Sequence, residues 1–257
     1  MRIDLCMSAP QFKAYFDREN PQIVLVVDTL RASSTICSAL QNGAKEIIIV
    51  AELEEAIEYR KRGYMVGAER HAKRCDFAQL GNSPFDYDRK TVEGKTIVFT
   101  TTNGTKCVDT AFRAGASDVF ICGYINLPVT VSYLSKHTDQ NVLILAAGWN
   151  DTVGSEDCLY AGALISALCS ASIEANYGDS ARMMKELWSI VAPSPTAFLS
   201  YVHTIEHYRR MREAGVDGDI PYCLEEQIDA VLPIVYQNNS KYVCKAWSDP
   251  LEGESEQ

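Results

Sequence analysis

Ile23-Val24-Leu25-Val26-Val27-Asp28-Thr29-Leu30-Arg31-Ala32-Ser33-Ser34-Thr35 is the stretch that decides the fold. Five apolar, mostly β-branched residues run straight into polar ones, and the polar ones open a helix. The pattern predicts a strand over Ile23–Asp28 and then a helix over Ser33–Asn42, where Ile36, Ala39 and Leu40 share one face and Gly43 supplies the stop. Asp28 then stands at the carboxyl end of its strand, where open α/β sheets bind ligands. The first N–H groups of the helix, with the positive end of its dipole, suit a phosphate, and Arg31 adds a forked cation. A plainer reading has Asp28 and the serines only capping a helix, and this segment alone does not separate the two.

The same switch from apolar run to helical stretch recurs outward from there, which is the signature of alternating elements around a largely parallel sheet. Strands are predicted over Glu46–Val50, Lys95–Thr100, Asp118–Cys122 and Val142–Ala146, with a short one over Tyr64–Val66. Helices are predicted over Leu53–Arg62, Gly104–Ala114 and Pro128–Lys136. Gly81, Asn82, Ser83 and Pro84 crowd the stretch from Cys75 to Val92, which reads as a long ordered loop of the kind that carries function. From Glu156 the chain turns helical, over Glu156–Cys169, Ser180–Ile190, Thr196–Tyr201 and Thr204–Ala214, and Val231–Tyr236 reads as a returning edge strand. The expected architecture is a layered α/β/α fold with a mostly parallel or mixed sheet. Two abutting subdomains, 1–125 and 126–240, would hold the site between them, and 241–257 would form a mobile acidic tail.

Composition narrows the function classes. A chain of 257 residues, 47% apolar and 23% charged, buries a sizeable core and reads as an ordinary globular protein. No run is apolar for long enough to span a bilayer, and Met1-Arg2-Ile3-Asp4-Leu5 does not read as a secretory leader, so a cytoplasmic location is the default. Nine cysteines without a Cys-x-x-Cys pair argue against a disulfide framework or a zinc cluster and read as small core residues. A net charge of −10 repels nucleic acid. A small anionic metabolite needs only a local cation cluster, which an acidic protein can hold. A homodimer is the default assembly.

Three further segments carry chemistry. Thr96-Ile97-Val98-Phe99-Thr100-Thr101-Thr102-Asn103-Gly104-Thr105-Lys106 repeats the strand-to-helix design and offers hydroxyls, an amide and close backbone approach to an anion. It is expected to emerge on the same edge of a parallel sheet as Asp28. Gly67-Ala68-Glu69-Arg70 ends a short strand with paired opposite charges, and Gly148-Trp149-Asn150-Asp151 leads to Glu156-Asp157 in a first helical turn. Alone, each has a plain reading, as a surface ion pair and as helix-dipole partners. Together, Asp28, Glu69, Glu156 and Asp157 form a set of hard oxygen ligands suited to Mg²⁺. The four histidines show no metal-ligand spacing and read as structural or surface residues. No Gly-x-Gly-x-x-Gly follows a strand, so a dinucleotide is not expected.

In order along the chain, Asp28-Thr29-Leu30-Arg31-Ala32-Ser33-Ser34-Thr35-Ile36, Gly43-Ala44, Gly67-Ala68-Glu69-Arg70, Leu80-Gly81-Asn82-Ser83-Pro84, Thr100-Thr101-Thr102-Asn103-Gly104-Thr105, and Glu156-Asp157 with Ala161-Gly162 resemble the successive motifs of the 2-phosphosulfolactate phosphatases. The resemblance runs from about residue 20 to about residue 235. It implies a Mg²⁺-dependent phosphatase that releases phosphate from (2R)-phospho-3-sulfolactate, a step of coenzyme M synthesis in methanogens. The chain departs from the family pattern at His71-Ala72, where Asn-Gly is usual, and at Ala78-Gln79, where Phe-Asp is usual. These departures bear on substrate specificity.

Under that resemblance Asp28, Arg31, Glu69 and Arg70 would be catalytic, and Mg²⁺ would be held by Asp28 with one or more of Glu69, Glu156 and Asp157. Arg31 and Arg70 would clamp phosphate and sulfonate oxygens. Ser33, Ser34, Thr35, Asn82, Thr101, Thr102, Asn103, Gly104 and Thr105 would supply neutral donors to the substrate. A rival chemistry makes Asp28 a covalent nucleophile, but the acid such phosphatases carry two residues later is replaced here by Leu30, which favours direct attack by water. A non-catalytic anion-binding or regulatory protein, or a phosphatase for another phosphorylated hydroxy acid, are the alternatives.

Overall fold

A computed structural model describes residues 1–20, 22–239 and 241–248. The strands are β1 (Arg2–Cys6), β2 (Gln22–Val27), β3 (Glu46–Ile49), β4 (Met65–Arg70), β5 (Lys73–Arg74), β6 (Thr96–Thr100), β7 (Val119–Cys122), β8 (Asn141–Ala146), β9 (Asn176–Tyr177), β10 (Pro233–Asn238) and β11 (Lys241–Ala246). They form one mixed sheet in the order β5-β4-β6-β3-β11-β10-β7-β2-β8-β1-β9.

Alternation explains the apolar run that opened the sequence. Ile23, Leu25 and Val27 of β2 enter one core, while Val24 and Val26 enter another on the opposite face. In β8 the same split puts Val142, Ile144 and Ala146 on one side and Leu143 and Leu145 on the other. A strand covered on both faces has no polar register, so it reads as continuously apolar. The first core is closed by the helices Leu127–Ser135, Ser155–Ser170 and Asp179–Val191, and the second by Ala32–Gln41 and Gly104–Ala114. The layered α/β/α architecture follows. Seven of the nine cysteines are buried and none is paired, as small core residues would be.

Several expectations are corrected. The late strand is not an edge: β10 pairs with β7 on one side and β11 on the other, in mid-sheet. The proposed tail, 241–257, begins with β11, which continues the sheet to β3, while 249–257 lies outside the described residues. Lys-Tyr-Val-Cys-Lys-Ala hides its strand character because Cys244 is the one side chain of the six fully buried. Arg2–Cys6, not read as a strand, pairs in parallel with β8. The ranges 1–125 and 126–240 interleave, since β8 lies between β2 and β1.

The antiparallel β10–β11 hairpin has a larger effect. It divides the parallel strands into a β4-β6-β3 block and a β7-β2-β8-β1-β9 block that run in opposite senses. Thus β2 and β6 do not end on one edge of a parallel sheet. Their carboxyl ends still meet, because a Cβ at Gly104 would lie 2.7 Å from Asp28 Oδ2. The accumulated twist over the five intervening pairings, roughly 20–25° at each, is large enough to swing the two blocks towards one another.

Phe120, fully buried in β7 with its ring 4.7 Å from that of Tyr133, reports on this framework. Phe120→Ala is expected to lower stability by about 3–5 kcal/mol, read as a drop in the urea midpoint at unchanged slope.

Candidate active site

Asp28 follows β2 and closes the turn into the Ala32–Gln41 helix with its own backbone. Its N–H donates to Ser33 Oγ (3.0 Å), its carbonyl accepts from Ser33 N–H (2.9 Å), and its carboxylate accepts from Ala32 N–H (3.3 Å). Only 8% of the residue is exposed. Burial raises the Asp28 pKa to about 6, with Glu69 and Glu156 adding repulsion, and His207 and the Ala32 N–H partly offset the rise. Gly104 is required beside it, because any side chain there would strike the carboxylate.

Asp28 lines a narrow cavity of about 20 Å³ with Arg31, Glu69, Asn82, Asn103, Trp149 and His207. The buried Arg31 guanidinium pairs with Asp219 through one nitrogen and donates to the Ala72 carbonyl (3.2 Å) through another. Ser83 Oγ donates to the second oxygen of Asp219 (2.9 Å) and so holds the pair in register. Glu69, 4% exposed, accepts from Ala72 N–H (2.6 Å) and Thr102 Oγ1 (3.2 Å). The loop residue Ala72 therefore orders both a cation and a carboxylate. His71 and Ala72 both adopt the left-handed backbone region, at φ +55° and +63°.

The acidic pair in the Ser155–Ser170 helix divides its work. Asp157 accepts from the backbone N–H groups of Thr29 (2.8 Å) and Gly148 (2.9 Å), tying the ends of β2 and β8 together. Burial, then the charges of Glu156 and Asp28, hold its pKa well above the usual carboxylate range despite those two bonds. Burial also pushes Glu156 up, but the hydrogen bond and charge of His207 Nδ1 win and hold it below its ordinary value. His207 belongs to the Glu206–Ala214 helix, which also brings Arg210 over the Trp149 ring (4.5 Å) and Met211 to the cavity wall.

Several sequence-predicted donors lie elsewhere. Arg70 turns away from the cavity: its guanidinium donates to the carbonyls of Glu69 (2.7 Å) and Ala51 (3.2 Å) and to Thr100 Oγ1 (3.0 Å), in a separate cleft with Lys13, Lys106 and Arg113. Neighbouring residues of a strand face opposite ways, so Glu69 and Arg70 cannot both reach one site. Ser33, Ser34 and Thr35 are fully buried in the first helical turn, and Thr35 Oγ1 donates to the Asn82 carbonyl (3.0 Å). Thr105 Oγ1 donates to the Thr101 carbonyl (3.0 Å). Asn103 Oδ1 accepts from Asn150 N–H (3.1 Å), which bridges the two loops.

Asp219 and His207 carry no mark in the sequence; the histidine, which reads there as structural or surface, sits at the cavity instead. Neither has a motif spacing, and both come from the helical second half, so only tertiary proximity identifies them.

Among the described residues no three His, Cys, Asp or Glu side chains converge as a preformed metal cage. The oxygens available at the cavity are those of Asp28, Glu69 and Asn82, whose buried Oδ1 has no hydrogen-bond partner. Such hard donors fit a Mg²⁺ that takes few protein ligands and keeps the rest of its shell as water or substrate oxygen.

Residues 11–238 match the family model described as 2-phosphosulpholactate phosphatase. Similar proteins include a probable 2-phosphosulfolactate phosphatase of Thermotoga petrophila, 34% identical over 86% of this chain and 91% of that protein. One from Clostridium beijerinckii is 32% identical over 91% and 96%. Another from Caldanaerobacter subterraneus is 36% identical over 78% and 82%, and both carry the same name.

Because burial raises the Asp28 pKa to about 6, the folded protein is penalised as pH rises from the unfolded value near 4 through 6, where the unfolded chain releases a proton that the folded one keeps. Asp28→Asn is therefore expected to stabilise the fold at pH 7 in EDTA by on the order of 3 kcal/mol, seen as a higher melting temperature. The gain should fade below pH 4, and thermal melts across pH check both the sign and the window.

Proposed function

The chain belongs to the 2-phosphosulpholactate phosphatase family, and from that footing we propose that it hydrolyses a small anionic phosphate ester, (2R)-phospho-3-sulfolactate before others, to the hydroxy acid and phosphate. The observation that carries this reading is the meeting of a buried Arg31 with Asp28 and Glu69 in one cavity. Two carboxylates at an anion site are a liability unless a cation stands between them and the phosphate.

Asp28, Glu69 and the Asn82 amide oxygen would hold Mg²⁺ there. The ion, when bound, would neutralise charge on the phosphate and orient the attacking water. Arg31 binds the non-bridging phosphate oxygens, its plane fixed from behind by Asp219 and Ala72 O. Asn103 and the open N-terminus of the Gly104–Ala114 helix supply further N–H donors, since no side chain caps that helix. Trp149 and Met211 wall the cavity and limit water.

Direct attack by water fits Leu30 better than a covalent route through Asp28, because the second acid of that route is missing. The reading includes a cytoplasmic enzyme acting as a homodimer. His71 and Ala72 stand where the family pattern has Asn-Gly; Ala72 lines the cavity and the His71 ring lies 6.4 Å from that of Trp149 in its wall, which keeps other phosphorylated hydroxy acids in view.

Phosphate release should be measured from phosphosulfolactate, phospholactate and phosphoglycerate, with Mg²⁺ and with excess EDTA. Release that needs the metal and prefers the sulfonate is the expected outcome. Release from another ester replaces the substrate, and no release from any hands the site to the anion-binding reading. Arg31→Lys is expected to cut kcat/KM by about 10–100-fold, the worth of a charged forked hydrogen bond, with little change in fold by circular dichroism.

A further inference from the structure

The geometry points to His207 as the acid that protonates the leaving oxygen of the ester, held in place by Glu156. The proposal rests on the phosphatase reading above and deepens it. A small alkyl phosphate has a poor leaving group, so its hydrolysis is helped by a proton donor opposite the attacking water. Asp28 and Glu69 are acceptors beside the phosphate, and the acid expected two residues beyond Asp28 is Leu30. His207 is the neutral-pH proton carrier whose ring faces the same cavity.

Its setting is that of an oriented donor. Nδ1 is bound to Glu156, a carboxylate 2% exposed, which leaves Nε2 as the nitrogen free to act. Glu156 is fixed in turn by its place in the first turn of the Ser155–Ser170 helix, and its backbone carbonyl accepts from Tyr124 Oη (3.1 Å). The imidazole stands 6.0 Å from the Trp149 ring, which Arg210 covers from the same helix. A buried carboxylate behind a histidine fixes the direction of its ring.

The step balances. The oxygen of the attacking water bonds to phosphorus, and the bridging P–O bond breaks with its electron pair going to the leaving oxygen. The Nε2 proton passes to that oxygen to give the alcohol. Both protons of the water remain on the dihydrogen phosphate product, which returns one to the neutral imidazole through solvent.

A purely structural link between two helices would make the same hydrogen bond, and the leaving group tells the two apart. His207→Gln and His207→Ala should be assayed on phospholactate and on para-nitrophenyl phosphate, whose phenolate leaves without a proton. The expected result is a loss of about 100-fold or more in kcat on the alkyl ester against less than about 10-fold on the aryl ester, the range of general acid catalysis. Imidazole added to His207→Ala should restore part of the alkyl turnover, and Glu156→Gln should show the same selectivity with a smaller loss.

Equal losses on the two esters overturn the proposal. If the aryl ester is not a substrate, failure of imidazole rescue on the alkyl ester overturns it. If the unsubstituted protein hydrolyses no ester at all, the phosphatase reading falls first and takes this one with it.

Discussion

Burial of carboxylates away from water, with their repulsion added to it, governs this site. Asp28, Glu156 and Asp157 are each at most 8% exposed, and each raises or answers the charge of another. In a medium of low polarity such anions persist only where a donor or cation meets them. Asp157 receives two backbone N–H groups and becomes a clasp between strand ends. Glu156 receives His207. Asp28 receives a single long bond from Ala32 N–H, the poorest hydrogen bonding of the three, and faces the cavity. The residual demand for positive charge falls at the point where a cation or a proton would do chemistry, so the division of labour among the three follows from their partners.

The sheet was legible where strands are covered on both faces, because β2 and β8 leave no polar register to confuse the reading. It was illegible where one side chain in six is deeply buried, as in β11, and this omission hid the reversed sense of the β4-β6-β3 block. The site residues at strand ends, Asp28 and Glu69, could be marked from the sequence because position at a strand terminus is a local property. Arg70 shows the limit of local reading: one residue further along β4 it faces another cleft, although the period of two alone would have warned of it. Asp219 and His207 enter from segments 188 and 51 residues from their partners, and no spacing rule spans such distances.

Gly104 explains how a sheet with opposed blocks still builds one site. The missing side chain lets the Gly104–Ala114 helix start directly against the Asp28 carboxylate. Two strand-to-helix turns from opposite blocks thereby share one space, and the end of β4 and the loop after β8 fill the remaining sides through Glu69 and Trp149. The sequence design that repeats at Asp28 and at Thr100–Thr105 is thus a pair of half-sites that come together across the twist of the sheet rather than along an edge.

The His71-Ala72 turn shows what such a site costs the fold. Two consecutive non-glycine residues in the left-handed region each carry roughly 1–2 kcal/mol of backbone strain, which Asn-Gly would largely relieve. The strain persists because the Ala72 peptide groups act at two points of the site: the N–H meets Glu69 and the carbonyl meets Arg31. Relaxing the turn would release a carboxylate and a guanidinium together. His71 also brings an imidazole to within 6.4 Å of Trp149, at the cavity wall. His71 therefore puts a ring at the rim while the Ala72 peptide holds the geometry behind Arg31 and Glu69, so the side chain at the rim is separated from the backbone groups that order the two charges.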